Sequence, residues 1–346
     1  MSQQHTNALS IMSRQRLIGI TLTFVSGVLF ATLPILFRIV TATGVNLATA
    51  LALRFLSASA LIWGAVIAGH VRRQGREGRA PVLASTPSAQ TRSQSSTRAR
   101  APAQMDAAGP RSGGWPGTPG LLAFILMGVL YIGQAFSYLS SSVRIPIATT
   151  SLLLYTYPAI VTVLARAVLR EPLTRAKLMS LVLALAGTLV TLGTPQASGD
   201  WVGIGFGLAA ALIYSTYIII GTKAQRGVSP ALSSAIITLS AGLFSAAYGL
   251  ATGQLQLAVS ASGWLAVAAL GSLSSAIPIL FFLMGVERIG ASQASIISTS
   301  ELVSTALFGA LFLGEALAPL QLVGGVLIMA ATMVLARAHA PDLTEM

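Results

Sequence analysis

Apolar residues run along this chain in stretches of about twenty, the length a helix needs to cross a bilayer core of about 30 Å without presenting unsatisfied backbone to lipid. Ten such stretches stand out, at 17–38, 46–69, 118–140, 147–169, 174–193, 202–222, 231–251, 262–284, 290–313 and 318–336. Local punctuation supports the divisions. Pro230 falls in the first turn of the seventh, Thr252-Gly253-Gln254 splits the charge-free run 227–286 into two helices, and Pro319 opens the tenth. The first stretch follows Ser13-Arg14-Gln15-Arg16, a head that mimics a signal peptide. The apolar run is too long for one and shows no small-residue cleavage site, so it reads as a retained helix after a tail at 1–16. Residues 71–117 differ in kind: Arg, Ser, Gly, Pro and Ala dominate, with eight arginines against Glu77 and Asp106. They predict a disordered basic loop, whose arginines fix topology or rest against anionic lipid.

Composition strengthens this reading. Only 9% of the 346 residues are charged and 54% are apolar, so a water-solvated surface cannot be assembled and the solvent for most of the chain is lipid. The net charge of +12 does not point to nucleic acid, because the basic residues fall between apolar stretches and form no stripe. There is no cysteine, which excludes disulfides, thiolate metal sites and cysteine nucleophiles. His5, His70 and His339 lie outside or at the edge of the apolar stretches, which argues against a buried histidine metal site or relay. No metal or other cofactor is expected, and without a Gly-rich phosphate loop ATP is not the energy source on this chain.

Basic residues also orient the chain. With the N-terminus in the cytoplasm, 18 of the 21 fall on the cytoplasmic side, Arg38 and Arg144 fall outside, and Arg54 lies within the second helix. Both termini, including the tail at 338–346, are then cytoplasmic, in the cell (inner) membrane. Leaving out the long loop, the ratio is still 10 to 2.

A repeat divides the chain. Shifted by 144, residues 144–190 fall on 288–334 without a gap, and twelve of 47 positions are identical, among them Arg144/Arg288, Ile145/Ile289, Ser151/Ser295 and Glu171/Glu315. A weaker echo relates Gly44-Val45-Asn46 to Gly227-Val228-Ser229. The halves are then 17–193 and 202–337, with five helices each. An odd number makes the second half enter the membrane from the opposite side, so the predicted fold is an all-α integral membrane protein of ten helices in two inverted repeats.

The residues 148–158, Ala-Thr-Thr-Ser-Leu-Leu-Leu-Tyr-Thr-Tyr-Pro, followed by Glu171-Pro-Leu-Thr, resemble the first repeat of the EamA branch of the drug/metabolite transporter superfamily. Gly290-Ala-Ser-Gln-Ala-Ser-Ile-Ile, Glu301 and Leu-Gly-Glu315-Ala-Leu resemble the second. Leu53-Arg54-Phe55 and Phe30-Ala31 with Pro34 also fit. The resemblance spans the chain outside 71–117, and departs from the pattern in that long loop and in Leu302, which stands where a proline commonly follows the glutamate. It implies a carrier with a central cavity lined largely by the third, fourth, eighth and ninth helices.

Candidate substrate-binding residues follow from intramembrane polarity. Glu301 lies near the middle of the ninth helix, where a charge costs about 2.5–3.5 kcal/mol on insertion scales. It either couples a proton, holds a cationic group, or is a neutral acid bonded to a neighbouring helix. Arg54 pairs with an anion in the cavity, Glu301 included, or snorkels outward; Arg38 reads as a snorkelling anchor. Gln134, Ser137 and Tyr138 on the third helix and Tyr155 and Tyr157 on the fourth bring polar tips to depth, with Gln134 and Tyr138 on one face. Glu171 and Glu315 read as caps just before the next helix, and Gly203, Gly205, Gly207 and Gly324-Gly325 as close-packing sites.

An embedded enzyme would need paired aspartates, a His–Glu metal set or a Ser with His at membrane depth; Asp106 and Asp342 lie outside the membrane and Asp200 in an external turn. The expected function is secondary transport of a small polar metabolite, an amino acid or relative, with export favoured and protons as a possible coupling ion. Nucleotide-sugar or sugar-phosphate exchange is the runner-up and a non-transporting scaffold a third reading. The expected partners are a small-molecule substrate and the lipid bilayer; oligomeric state is not legible.

Overall fold

The computed structural model describes residues 2–77, 115–192, 200–256, 258–314 and 318–337. Among these residues, ten helical spans are long and apolar enough to cross a membrane: α1 Ser13–Ala42, α2 Leu47–Gly69, α3 Thr118–Ser142, α4 Thr149–Leu169, α5 Arg175–Leu192, α6 Trp201–Ala224, α7 Pro230–Ala251, α8 Ala261–Ile289, α9 Ala291–Phe312 and α10 Pro319–Arg337. The helix containing α2 runs on to Glu77, beyond the expected end at 69, so part of the predicted loop is helical. The rest of that loop, the side chains of His5, His70 and His339, and Glu315 lie outside the described residues.

Helix pairing carries the repeat into three dimensions. α2 packs on α7 and α5 on α10; α1 packs on α8 as α3 does on α6; α3 lies against α7 as α8 does against α2; α4 touches α6 as α9 touches α1. Exchanging each helix for the one five places on maps this set of neighbours onto itself. Five spans per half is an odd number, so the halves run in opposite senses. The crossing of α5 and α10 brings backbones into contact. A Cβ at Gly187 would stand 2.7 Å from the Gly324 carbonyl oxygen, and one at Gly324 2.6 Å from that of Gly187, so only glycine fits at either. Among the glycines expected to pack closely, Gly203 and Gly207 meet Arg144, Ile145 and Leu153, and Gly325 approaches Val303 at an ordinary 3.5 Å. Gly205 faces open space, because it lies off the side of α6 that meets α3 and α4.

Three helices are interrupted within the membrane, and all three breaks use the same chemistry. Thr32 in α1, Thr156 in α4 and Thr299 in α9 each bond their hydroxyl to the carbonyl three residues back, at 2.7 Å. That bond competes with the helical ladder, which tightens there into i→i−3 turns. Pro34 and Pro158 lie two residues beyond the first two breaks and supply no N–H. α9 has Leu302 instead of a proline and breaks nonetheless, with Ser298 donating to the Ala294 and Ser295 carbonyls. Proline is therefore dispensable for this interruption.

α8 carries a π-helical turn at Ser272–Ala276, just before Pro278, and α4 ends in another at Ala165–Leu169. Such turns leave backbone carbonyls free for other partners. α6 begins with Asp200 as its cap, accepting from Val202 N at 3.0 Å and Gly203 N at 2.9 Å, with Arg144 at 3.5 Å. The Gly203 N–H and the nearby guanidinium hold this carboxyl below the usual carboxylate range.

Candidate functional site

The break in α9 sets the position of Glu301. Ser298 and Thr299 form the turn, Ser300 restarts the helix, and Glu301 stands in the first turn of the new segment, where the helix dipole favours negative charge. Its carboxylate has no ion pair and no side-chain hydrogen bond among the described residues, yet it is only half-buried. Glu301, Tyr131, Tyr155 and Tyr214 each keep part of their surface open, and the three tyrosines lie where the Glu301 charge is felt, so the space they border is the candidate cleft.

Tyrosines form the opposite wall. Phe55 of α2 meets Tyr131 of α3 edge-on at 5.2 Å, Tyr131 meets Tyr217 of α6 at 5.7 Å, and Tyr217 stacks on Tyr214 at 5.9 Å. Tyr214 meets Tyr157 of α4 edge-on at 4.8 Å, and Tyr155 lies 6.0 Å from Tyr157. This run of six rings crosses four helices. Tyr131, Tyr138, Tyr155, Tyr157 and Tyr214 all lie where the Glu301 charge is felt.

Arg54 anchors one end of the run. Its guanidinium lies 4.8 Å over the Phe55 ring, donates from Nε to the Ser275 hydroxyl and from Nη2 to the Ser274 carbonyl at 3.0 Å, and interacts electrostatically with Tyr131. The Ser274 hydroxyl in turn bonds Thr32 at the α1 break, at 2.9 Å. Arg54 is 4% exposed and forms no ion pair with Glu301, although each feels the other's charge. The π-turn of α8 thus occupies the guanidinium that the sequence directed toward a cavity anion or an outward snorkel. Arg38, by contrast, is exposed at the end of α1.

The other sequence candidates divide. Tyr157 is 3% exposed and serves as a strut between the halves, donating to the Ser295 carbonyl at 3.2 Å and sharing a 2.9 Å bond with the Ser298 hydroxyl. Tyr138 keeps partial exposure and bonds Ser151 across α3 and α4 at 2.8 Å. Tyr155 sits at the α4 break, half-buried. Gln134 is half-buried one turn from Tyr138, with no hydrogen-bond partner among the described residues. Ser137, one position before Tyr138, is buried.

Tyr131, Tyr214, Tyr217, Ser274 and Ser275 were not legible as candidates. A signal existed for the tyrosines: Tyr131 precedes Gln134 by three and Tyr138 by seven, and Tyr214 precedes Tyr217 by three, so each set shares a helix face. The sixth helix was outside the expected lining, which hid its pair.

Glu171 plays a capping role, but not for the helix that follows it. Its Oε1 accepts from Ala291 N at 2.8 Å, capping α9 of the other half, and its Oε2 pairs with buried Lys177 at 3.0 Å. Thr174 caps α5 instead, accepting from Lys177 N at 3.2 Å. The cause is Gly290, whose φ of +81° turns the start of α9 onto the carboxylate; a Cβ there would lie 2.8 Å from Glu171 Oε1.

The sequence model of the EamA-like transporter family matches residues 104–193 and 201–337. An uncharacterized transporter of Archaeoglobus fulgidus is 30% identical over 201 residues, 57% of this chain and 70% of that one. The uncharacterized transporter YcbK of Bacillus subtilis is 30% identical over 158 residues, 42% of this chain and half of that one. A crystal structure superposes with a TM-score of 0.68 at 22% identity, over 94% of this chain and 98% of that one, and shares the fold.

Proposed function

The chain belongs to the EamA-like transporter family, and on that premise we propose that it is a secondary carrier exporting a small polar metabolite, an amino acid or a related compound, by alternating access. The observation that carries the reading is Glu301: a carboxylate at a helix break with no partner among the described residues, facing the candidate cleft between two inverted halves. In alternating access the halves rock around that level and expose it to one side at a time. The threonine breaks in α1, α4 and α9 lie where such bending is absorbed. The excess of basic residues on one side supports a cell (inner) membrane carrier with both termini in the cytoplasm.

Glu301 also serves as the coupling group, exchanging a proton for substrate. The groups facing it are Arg54, Tyr131, Tyr138, Tyr155, Tyr157 and Tyr214, and Arg54 is the cation among them. Exchange of a nucleotide sugar or sugar phosphate is disfavoured, because a phosphoryl group needs several free basic donors and Arg54 is held on α8 through Nε and Nη2.

The test is uptake and efflux of a labelled metabolite panel in proteoliposomes under an imposed pH gradient, for the wild type and Glu301→Gln. A gradient-driven flux lost in the variant supports coupling at Glu301. Flux that survives the substitution refutes it, and absence of flux for every solute counts against a carrier.

A further inference from the structure

We propose that the tyrosine-lined cleft is a cation site, selecting solutes by a protonated amine or quaternary ammonium head that sits between Glu301 and the rings of Tyr155 and Tyr214. The inference deepens the carrier reading and depends on it only for the claim that the bound cation is moved.

Three observations converge. The first is the balance of open charge. Two formal charges lie within reach of each other, but Arg54 is enclosed and held through Nε and Nη2 by Ser275 and Ser274, whereas Glu301 is accessible and has no partner among the described residues. A solute entering the cleft therefore meets a negative group. An anionic solute would have to detach Arg54 from α8 while standing next to a carboxylate, and both are unfavourable in a low-dielectric site.

The second is the wall. An aromatic ring attracts a cation to its face, and the attraction grows when water is excluded. Tyr155 and Tyr214 keep open surface beside Glu301, and neither hydroxyl has a hydrogen-bond partner among the described residues. Tyr157 and Tyr217 are sealed behind them and hold Tyr214 by edge and stacking contacts. Such a wall is rigid and adds no charge.

The third is the far end. Gln134, half-buried and unpartnered, lies on the α3 face that carries Tyr131 and Tyr138, and offers both a donor and an acceptor to the body of a ligand. It can read a neutral polar group and cannot neutralise an anion. The chemistry assembled is that of an amine or ammonium compound with an apolar or ring-bearing body, which narrows the carrier reading from amino acids to related amines, because an amino acid's carboxylate would find no free cation in the cleft.

Binding of tritiated benzyltrimethylammonium to the purified full chain in neutral-lipid nanodiscs tests this, with benzylamine, benzyl alcohol and phenylacetate as competitors. Saturable binding is expected, displaced by benzylamine and at least about tenfold less well by the neutral alcohol or the anion. Glu301→Gln is expected to weaken binding at least about tenfold with the unfolding temperature retained, while Glu301→Asp keeps the preference for cations. Tyr214→Phe should bind within about threefold of wild type, because the ring remains, and Tyr214→Leu should bind more weakly than Tyr214→Phe. Equal competition by benzyl alcohol, unchanged binding by folded Glu301→Gln, or no saturable binding would each overturn the site. Should Glu301→Gln fail to fold, the wild-type competition series decides alone. Cation binding without flux in proteoliposomes supports the site and refutes the carrier; flux of an anionic solute without cation binding refutes the site and leaves the carrier standing.

Discussion

α4 and α9 are the same helix built twice, and they differ where it matters. Both break at a threonine, and both end in a left-handed residue, Arg170 at φ +58° and its counterpart Gly314 at +68°. Between these shared features, Tyr157 and Glu301 occupy equivalent positions in the repeat. The tyrosine is enclosed and bonded to the other half; the carboxylate is open and bonded to nothing among the described residues. The ends differ in the same way. Lys177 locks Glu171 onto the start of α9, while its counterpart Gln321 is turned to its own helix, accepting from Ala318 N at 3.0 Å. Repetition supplies the scaffold, and departures from it supply the candidate site and the asymmetry between the two ends.

The comparison breaks most completely if the two central groups are exchanged. Tyr157→Glu with Glu301→Tyr would put a carboxylate against the Ser295 carbonyl in an enclosed space, where an unpaired charge costs about 3–5 kcal/mol. The exchanged protein is expected to lose at least ten degrees of unfolding temperature or fail to accumulate; wild-type stability would mean that the halves are interchangeable at this level.

Lys177→Gln copies the second half into the first. It removes one partner of a buried pair, for an expected loss of about 1–3 kcal/mol. It should also loosen the Glu171 end, which the natural lack of cysteine makes easy to measure. An impermeant maleimide is expected to label Gln134→Cys several-fold faster from that side when Lys177→Gln is added, and unchanged labelling would mean that the pair does not hold the end closed.

Tyr157→Phe removes only the hydroxyl strut and should lower stability by about 1–2 kcal/mol, measured by thermal unfolding, with cation binding within about threefold of wild type. The smallest effect sharpens the likeness instead. Arg170→Gly gives the first half the residue that the second uses at its left-handed end, and should be neutral or stabilising by up to about 1 kcal/mol. A clear loss of stability would show that the Arg170 side chain contributes more than its backbone strain costs.

Much of the fold was legible in the sequence because lipid imposes one rule on every span. Apolar length revealed all ten helices, and the polar identities Arg144/Arg288 and Glu171/Glu315 revealed the inversion. What was not legible depended on contacts between helices. Nothing near Glu171 in sequence shows that Gly290 brings α9 to it, so the sequence directs the cap to α5 and not to α9 of the other half. Arg54 looked available because its partners, Ser274 and Ser275, lie 220 and 221 residues away in a π-turn that has no apolar period to announce it. Tyr214 and Tyr217 are not legible because tyrosine spacing shows which residues share a face and not what that face meets. Glu301 itself was legible for the opposite reason: a charge deep in lipid is conspicuous wherever it points.

The exchange rule that relates the ten helices bears on stoichiometry. An assembly of two identical five-helix units must carry any central group twice, once on each side of its axis. A carboxylate there would face its own copy, and the pair would share protons and ligands. Joining the units in one chain lifts that constraint, so Tyr157 can stand where a second acid would otherwise be. One chain then offers one central acid, and the proposed cycle would have room for a single positive charge there, carried by a proton or by a solute but not by both at once.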